Sequence, residues 1–146
     1  MSEIKMTHDE VMQVLPHRTP MLLVDTVEQL ASMEMIATSF YIDPAMEIFK
    51  GHFPGDPVFP GVLSVECMAQ AVDIMLMTAD KYAGKTPLFL GINNVRFMKK
   101  ILPGDTLTCR AEMATEREDK GIVTCNAVGY INGEAVVSGE ITVAMR

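Results

Sequence analysis

Apolar and polar residues alternate along much of the chain, and one long segment in its middle is apolar almost throughout. Alternation with a period of two is typical of half-buried β-strands. It predicts strands over residues 22–30 and 35–42, and four more after Pro87. Pro103-Gly104-Asp105, Asp119-Lys120-Gly121 and Asn132-Gly133 separate these four. Because the links are short, we expect the four strands to form an antiparallel meander in chain order.

The apolar segment over residues 62–82 predicts a long helix that is buried on nearly all sides. Its polar residues Glu66, Gln70 and Asp73 fall within an arc of ~60°. Such a stripe must face polar partners, water or a ligand, because unpaired burial is costly. We expect solvent or a salt bridge for Asp73 and a functional role as a buried acid for Glu66. For Gln70, a structural hydrogen bond and a substrate contact both remain open.

These elements predict one α+β domain over residues 1–146, with a long helix packed against an antiparallel sheet. A short helix precedes the sheet, because Thr7 and Glu10 form a capping-box pattern and Pro16 ends the helix near Leu15. A flat sheet cannot surround a helix that is apolar on all sides. We therefore expect the sheet to curl around the helix and a second subunit to seal the rest.

Composition narrows the classes of partner. Twelve basic and 19 acidic residues give a net charge of −7, which argues against nucleic acid as the main partner. No apolar run reaches the ~18 residues of a membrane span, and the polar N-terminus has no targeting pattern, so we expect a cytoplasmic protein. Cys67, Cys109 and Cys125 are far apart, which favours buried, reduced thiols over a disulfide or zinc site.

The stretch GHFPGDPVFPG, over residues 51–61, restricts the backbone at many points through its glycines and prolines. A rigid loop of this kind commonly presents one titratable side chain, here His52. The helix that follows begins near Gly61, where unpaired backbone N–H groups suit a developing oxyanion. Together with Glu66, these parts could abstract a proton next to a carbonyl while a neighbouring group leaves.

Other chemistry finds less support. His8 lies in a capping sequence and is expected in solvent, and His17 in LPHRTP is expected to bridge a turn. The chain has no GxSxG nucleophile motif and no glycine-rich phosphate loop. No second histidine or acid stands at metal-ligand spacing from these groups, so we expect neither a metal nor a cofactor.

The segment HFPGDPVFPGVLSVECMAQ closely resembles the active-site segment of the FabZ-type 3-hydroxyacyl-acyl-carrier-protein dehydratases. LPHRTPMLLVD and GINNVRFMKKILPGDTL are similar to that family's flanking motifs, in the same order. The resemblance implies the hot-dog fold, a curled antiparallel sheet wrapped around one long helix. It also implies a homodimer, assembled further as a trimer of dimers, with active sites at the dimer interface.

The resemblance implies a mechanism in which a (3R)-hydroxyacyl chain, linked through phosphopantetheine to acyl carrier protein, enters an apolar tunnel. His52 removes a proton from C2, and the Gly61 N–H stabilises the thioester oxygen. Glu66 of the partner subunit protonates the leaving C3 hydroxyl, so that water departs and a trans-2-enoyl thioester remains. The predicted substrate-binding residues are Phe53, Val58, Phe59, Gln70 and Phe97.

Acyl carrier protein is acidic, and this chain is acidic too, so docking requires a local basic patch. Arg96, Lys99 and Lys100 are the predicted docking residues, with Lys81 and Lys85 behind them. A solvated run of charge is the alternative interpretation of these five residues.

Three rival functions stay open. A dehydratase that also moves the double bond to C3 is hardly separable by sequence, although the FabA-type branch carries aspartate where Glu66 stands. A hot-dog acyl thioesterase would activate water against the same thioester. A non-catalytic acyl-binding protein would make the presence of both His52 and Glu66 a coincidence.

Overall fold

The computed structural model describes residues 5–146, and in this range six antiparallel strands and one long helix form the body of the fold. In chain order the elements are α1 (His8–Val14), β1 (Thr26–Ala31), β2 (Met35–Tyr41), α2 (Gly61–Met77), β3 (Pro87–Phe97), β4 (Thr106–Arg117), β5 (Ile122–Ile131) and β6 (Glu134–Met145). The helix α2 packs against β2, β3, β4, β5 and β6. The predicted α+β architecture, a sheet curled around one central helix, is confirmed.

The strand order in the sheet is β1-β2-β4-β5-β6-β3. The strands β4, β5 and β6 form the expected meander, but β3 pairs with β6 instead of β4, so this part of the prediction was wrong. Residues 98–105 provide a link long enough for the crossing, and Gly104, with φ +92°, supplies a left-handed turn that suits glycine. This order leaves β3 at one edge of the sheet.

The first strand begins later than its sequence pattern predicts, at Thr26 instead of residue 22. Leu22, Leu23 and Val24 are buried without lying in a strand. The Leu23 N–H donates to the side chain of Gln70 in α2, over 2.8 Å, and not to a neighbouring strand. Alternation of apolar and polar residues indicates which side chains are buried, and it does not require a strand. Here the side chain of Gln70 accepts the backbone hydrogen bond that a neighbouring strand would otherwise accept.

The core lies between α2 and the inner face of the sheet. Pro60 precedes the helix, and Thr78 ends it with a hydrogen bond from Oγ1 to the Ile74 carbonyl. Large side chains that are fully buried on both sides of the contact include Met68, Ile74, Met75, Leu76, Leu107 and Ile141. Each such burial stabilises the fold by about 1.5–3 kcal/mol. In the described residues, no helix is both long and apolar enough to cross a membrane.

The segment before β1 is held by two local devices. The predicted capping box is confirmed, because Thr7 and Glu10 exchange side-chain-to-backbone hydrogen bonds at the start of α1. After the helix, the Arg18 guanidinium donates to the carbonyls of Met12, Leu15 and His17 at 2.6–2.9 Å. A cation that caps the last carbonyls of a helix stabilises its C-terminus.

The three cysteines are free and buried, as predicted. Burial raises the pKa of Cys109 and of Cys125 to about 12, and it raises the pKa of Cys67 as well. Because the thiolate is the reactive form, these thiols have no role as nucleophiles near neutral pH.

Candidate active site

The loop before α2 orients the side chain of His52. Its Nδ1 lies 2.8 Å from the Val58 carbonyl, and the Val58 N–H donates back to the His52 carbonyl over 2.9 Å. A carbonyl can only accept, so Nδ1 carries the proton and Nε2 of the neutral ring is the basic nitrogen. The His52 ring also stacks on Phe53, with ring centroids 4.0 Å apart. The loop therefore presents a base in a defined tautomer.

Gly61 opens α2 next to this loop. In the described part of the chain, its N–H has no hydrogen-bond partner, as expected of the first turn of a helix. A Cβ added at Gly61 would lie 2.8 Å from the ring of Phe97, so glycine allows β3 to approach the helix start closely. The helix start thus offers a free donor at the positive end of the helix dipole.

Glu66 lies one helical turn further on, where Gln70 holds its carboxylate. The Gln70 side chain is fully buried, and its Nε2 donates to Glu66 Oε2 over 2.9 Å and to the Met21 carbonyl over 2.8 Å. Its Oε1 accepts from the Leu23 N–H. The amide of Gln70 is thus engaged by the protein itself, which matches the structural alternative, and its contact with a substrate stays a prediction.

His17 is a neighbour of Glu66, although its sequence context favoured a structural role in bridging a turn. Its Nε2 lies 3.8 Å from Glu66 Oε2, and both side chains are 24% exposed. Its Nδ1 is buried and has no hydrogen-bond partner within residues 5–146. The signal was present in the chain, because His17 stands between two prolines in the first flanking motif. A sequence cannot tell which helix such a turn will face.

Glu66 and His17 open into a cavity of about 620 Å³ between α1, α2 and the start of β3. Asp73 lines the same cavity. We expected solvent or a salt bridge for Asp73; it is partly exposed, and among the described residues it has neither a salt bridge nor a hydrogen bond. Burial, together with the negative charge of Glu66, raises the pKa of Asp73 to about 7. The cavity wall therefore carries two carboxyl groups, of which one has a hydrogen-bond partner.

Three of the five predicted substrate-binding residues, Val58, Phe59 and Phe97, line a second cavity of about 460 Å³. Gly61 also lines it, together with the stems of Lys99 and Lys100. Phe59 is buried, whereas Phe53, in the His52 loop, is 52% exposed and lines neither this cavity nor the first.

The structure does not join the two halves of the predicted site within one chain. In residues 5–146, no hydrogen bond or ion pair connects His52 with Glu66. The loop half comprises His52 and the second cavity, which are linked through Val58, and the helix half comprises Glu66, Gln70 and His17 with the first cavity. Each half carries one of the two residues predicted to act as base and acid, His52 or Glu66.

The predicted docking residues differ in how free their charges are. Lys99 donates to Glu134 over 2.6 Å, whereas Arg96 and Lys100 are exposed and have no acidic partner in the described chain. Lys81 is held by Glu116 and Glu118, which neutralise it. Lys85 is likewise exposed and without an acidic partner in the described chain. Of the residues with a free charge, Lys100 lines the second cavity.

The curved sheet around a central helix is shared with solved structures of other proteins. The dehydratase heterocomplex ApeI:P from Xenorhabdus doucetiae matches with a TM-score of 0.77, at 20% identity, over 93% of this chain and 90% of that one. A hypothetical thioesterase with coenzyme A from Streptococcus pneumoniae matches with a TM-score of 0.63, at 10% identity, over 82% and 84%. These likenesses establish the hot-dog fold, which was predicted.

The sequence comparisons are closer. The FabA-like domain family matches residues 15–140. A 3-hydroxyacyl-[acyl-carrier-protein] dehydratase FabZ from Oenococcus oeni is 43% identical over 93% of this chain and 96% of that protein. A FabZ dehydratase from Clostridium perfringens is 42% identical, over 96% and 99%. The chain therefore belongs to the FabA-like family, as a member of its FabZ dehydratase group, and the resemblance seen in the motifs is confirmed.

Proposed function

We propose that this protein is a (3R)-hydroxyacyl-acyl-carrier-protein dehydratase, a hydro-lyase of type II fatty acid synthesis. The observation that carries the proposal is the fixed tautomer of His52, which leaves Nε2 as a base in the loop that leads to the free N–H at the start of α2. FabZ dehydratases at about 40% identity over nearly the full length support the same activity.

The reaction follows from these groups. Nε2 of His52 takes the proton from C2 of the acyl group, and the electron pair of that C–H bond forms the C2–C3 double bond. The Gly61 N–H stabilises the negative charge that develops on the thioester oxygen. The C3–O bond breaks, and the protonated Glu66 supplies the proton that lets the hydroxyl leave as water. The product is the trans-2-enoyl thioester, and no cofactor takes part in this scheme.

A homodimer is part of the proposal, because the two half-sites would complete each other across a two-fold axis. The free edge strand β3 supports this arrangement. Large apolar side chains that are each more than 40% exposed are Leu88, Phe89, Leu90, Ile92 and Phe97. A long apolar edge strand on a monomer favours pairing with another chain. In the dimer, His52 of one subunit would meet Glu66 of the partner subunit, and a trimer of dimers is the assembly that the family resemblance favours.

Acyl carrier protein is the proposed carrier of the substrate. Lys100 supports docking, because it lines the cavity that Val58 and Phe97 also line and has no acidic partner in the described chain. Arg96, which is exposed and precedes Phe97 in β3, is the second docking residue of the proposal. Lys99 would have to exchange Glu134 for the carrier. A cytoplasmic location belongs to the same proposal, and the three reduced cysteines support a reducing compartment.

A single assay separates this function from its rivals. The protein is incubated with a trans-2-enoyl thioester and with its 3-hydroxy counterpart, while enone absorbance, free thiol and positional isomers are followed. Interconversion of the two without thiol release is the expected result. Release of thiol would identify a thioesterase, a 3-enoyl product would identify an isomerising dehydratase, and binding without turnover would overturn the proposal.

Complementation tests the shared site. His52→Ala and Glu66→Gln are each expected to be nearly inactive. In an equal mixture that has been unfolded and refolded together, half of the dimers are mixed, and each mixed dimer holds one intact site. About a quarter of wild-type activity should therefore return. A mixture as inactive as its parents would show that both residues serve the same chain.

A further inference from the structure

The first cavity is a groove that follows α2. The helix residues that line it are Glu66, Ala69, Asp73 and Met77. Their spacing of three and four residues places all four on one stripe of the helix. Asp73 lies ~10.5 Å along the helix axis from Glu66, because each residue adds ~1.5 Å. The groove therefore leads from the proposed acid towards Asp73.

The rest of the groove is largely apolar. Met12 from α1, Met77 from α2 and Phe89 from β3 line it along with Asp73. This lining suits a hydrocarbon chain, which contributes about 0.8 kcal/mol for each CH₂ that leaves water. A carboxyl group in such a wall is an obstacle to the same chain, because the chain would displace the water on the carboxylate and return no hydrogen bond.

Within residues 5–146 of one subunit, the charged groups around the groove leave Asp73 without a counter-ion. Besides Asp73, those that line the cavity are Glu66 on the same helix and His17 and Arg18 on the segment after α1. The Arg18 guanidinium is occupied by three backbone carbonyls, and His17 lies beside Glu66. The part of β3 that lines the cavity brings Pro87 and Phe89, which carry no charge.

We propose that Asp73 determines which acyl chains the enzyme accepts, by opposing chains long enough to pass it along the α2 groove. The inference rests on the proposed dehydratase function, which supplies the acyl chain. A four-carbon acyl group whose C3 lies at Glu66 ends before it reaches Asp73. A twelve-carbon group extends past Asp73 and must desolvate its carboxylate. The enzyme thus favours short acyl groups. Asp73 determines substrate specificity and takes no part in the chemical step.

The effect of Asp73 on long acyl chains depends on whether its carboxyl group is ionised. Burial and the negative charge of Glu66 raise the pKa of Asp73 to about 7. The carboxyl group is therefore neutral in acid and charged in mild alkali. A neutral carboxyl group costs less to desolvate than a carboxylate. Relative turnover of long chains should therefore rise as the pH falls through 7, and the ratio of two substrates cancels any pH effect common to both.

The test measures kcat/KM for (3R)-hydroxyacyl thioesters of four and twelve carbons, at pH 6 and pH 8. The proteins are wild type, Asp73→Asn, Asp73→Leu and the control Asp119→Asn, which lies in the exposed β4–β5 turn. At pH 8 we expect the twelve-to-four ratio to rise about tenfold in Asp73→Leu and less in Asp73→Asn. The gain should appear in KM for the long substrate. The ratio should vary with pH in wild type and in Asp119→Asn only.

The outcomes separate the two proposals. If wild type dehydrates neither substrate, the proposed function fails and the specificity proposal fails with it. If wild type is active but both Asp73 variants keep its ratio at pH 8, the specificity proposal alone is overturned. Asp73→Asn has the shape of the native side chain, and its thermal unfolding compared with wild type confirms that a changed ratio comes from a folded enzyme.

Discussion

The loop half and the helix half of the candidate site are built in different ways. In the loop half, backbone groups orient His52, through hydrogen bonds between residues 52 and 58 that need no side chain but the imidazole. In the helix half, the fully buried side chain of Gln70 ties Glu66 to the segment that carries Met21 and Leu23. The loop half is local in sequence, whereas the helix half depends on residues 47 and 49 positions apart.

The comparison teaches that a half-site can have its polar groups hydrogen-bonded and still lack a group that the reaction needs. Each half satisfies most of its own polar groups within one chain, yet neither contains both of the groups that the proposed reaction uses, His52 and Glu66. The base stands in a loop that is mostly exposed, where a partner can reach it. The acid stands in a groove whose wall holds a further, unpaired carboxyl group, Asp73. A substrate that needs both groups requires the halves to meet.

The largest expected effect is on the loop half. Replacing His52 with Ala removes the proposed base, so kcat/KM should fall by about 10²–10⁴-fold. The fold should persist, since within the described residues the ring hydrogen-bonds only to the Val58 carbonyl and otherwise stacks on the exposed Phe53. Steady-state kinetics and circular dichroism measure the two properties. His8→Ala is the matched control, because His8 is exposed and its Nδ1 likewise contacts a backbone oxygen, of Asp25. Equal activity of the two variants would remove His52 from the mechanism.

In the helix half the largest effect should fall on stability as well as on activity. Gln70→Met keeps the length of the side chain but leaves the Leu23 N–H, the Met21 carbonyl and Glu66 without their partner. Because buried groups without a partner cost about 1–3 kcal/mol each, we expect a loss of about 3 kcal/mol in the free energy of unfolding. Urea denaturation at a fixed protomer concentration measures it. Gln29→Met, at an exposed position of β1, is the control and should change little.

Asp73 should give a smaller effect that depends on pH. Its folded-state pKa of about 7 lies above the ordinary value of 3.8, so the folded state favours the protonated acid. The resulting stability is fully present below pH 3.8 and is lost as the pH rises through 7. Asp73→Asn cannot titrate. Its stability relative to wild type should therefore increase by about 2 kcal/mol between pH 5 and pH 7.

Parallel pH curves for wild type and Asp73→Asn would contradict this prediction. Denaturation at several pH values, again at one protomer concentration, provides the curves. Asp119→Asn serves once more as the control. Because Asp119 is exposed, its replacement should leave the wild-type dependence of stability on pH unchanged.

The smallest effect concerns a carboxylate outside the site, which sharpens the contrast with Asp73. Glu116 accepts a hydrogen bond of 2.6 Å from the Tyr82 hydroxyl and others from Lys81, and these partners lower its pKa. Here stability is present above the ordinary pKa of a glutamate and is lost in acid, which is the opposite sign. Tyr82→Phe should cost about 1 kcal/mol at pH 7 and less at pH 3, by urea denaturation. A cost that grows in acid would refute this account.

Much of the fold was predictable because burial has a period. Alternation located all six strands, and the continuous apolar run located α2, since these patterns follow from which side faces the core. The boundary of β1 and the partner of β3 were not predictable in the same way. Leu23 is buried by a helix side chain, and β3 crosses to the far edge of the sheet through a link whose path no local pattern specifies.

The candidate site, like the fold, has features that were predictable from the sequence and features that were not. The sequence by itself determined that His52 lies in a restrained loop, that α2 begins at Gly61 and that Glu66 lies on that helix. These are properties of neighbours along the chain. The structure shows that Glu66 is half-buried, with its side chain 24% exposed, and not fully buried as expected.

Only the tertiary structure decided that His17 lies beside Glu66, that Gln70 holds it, and that Asp73 has no partner in the described chain. Contacts between distant segments depend on how the sheet curls. That curl is determined by packing throughout the core, which no local sequence pattern specifies.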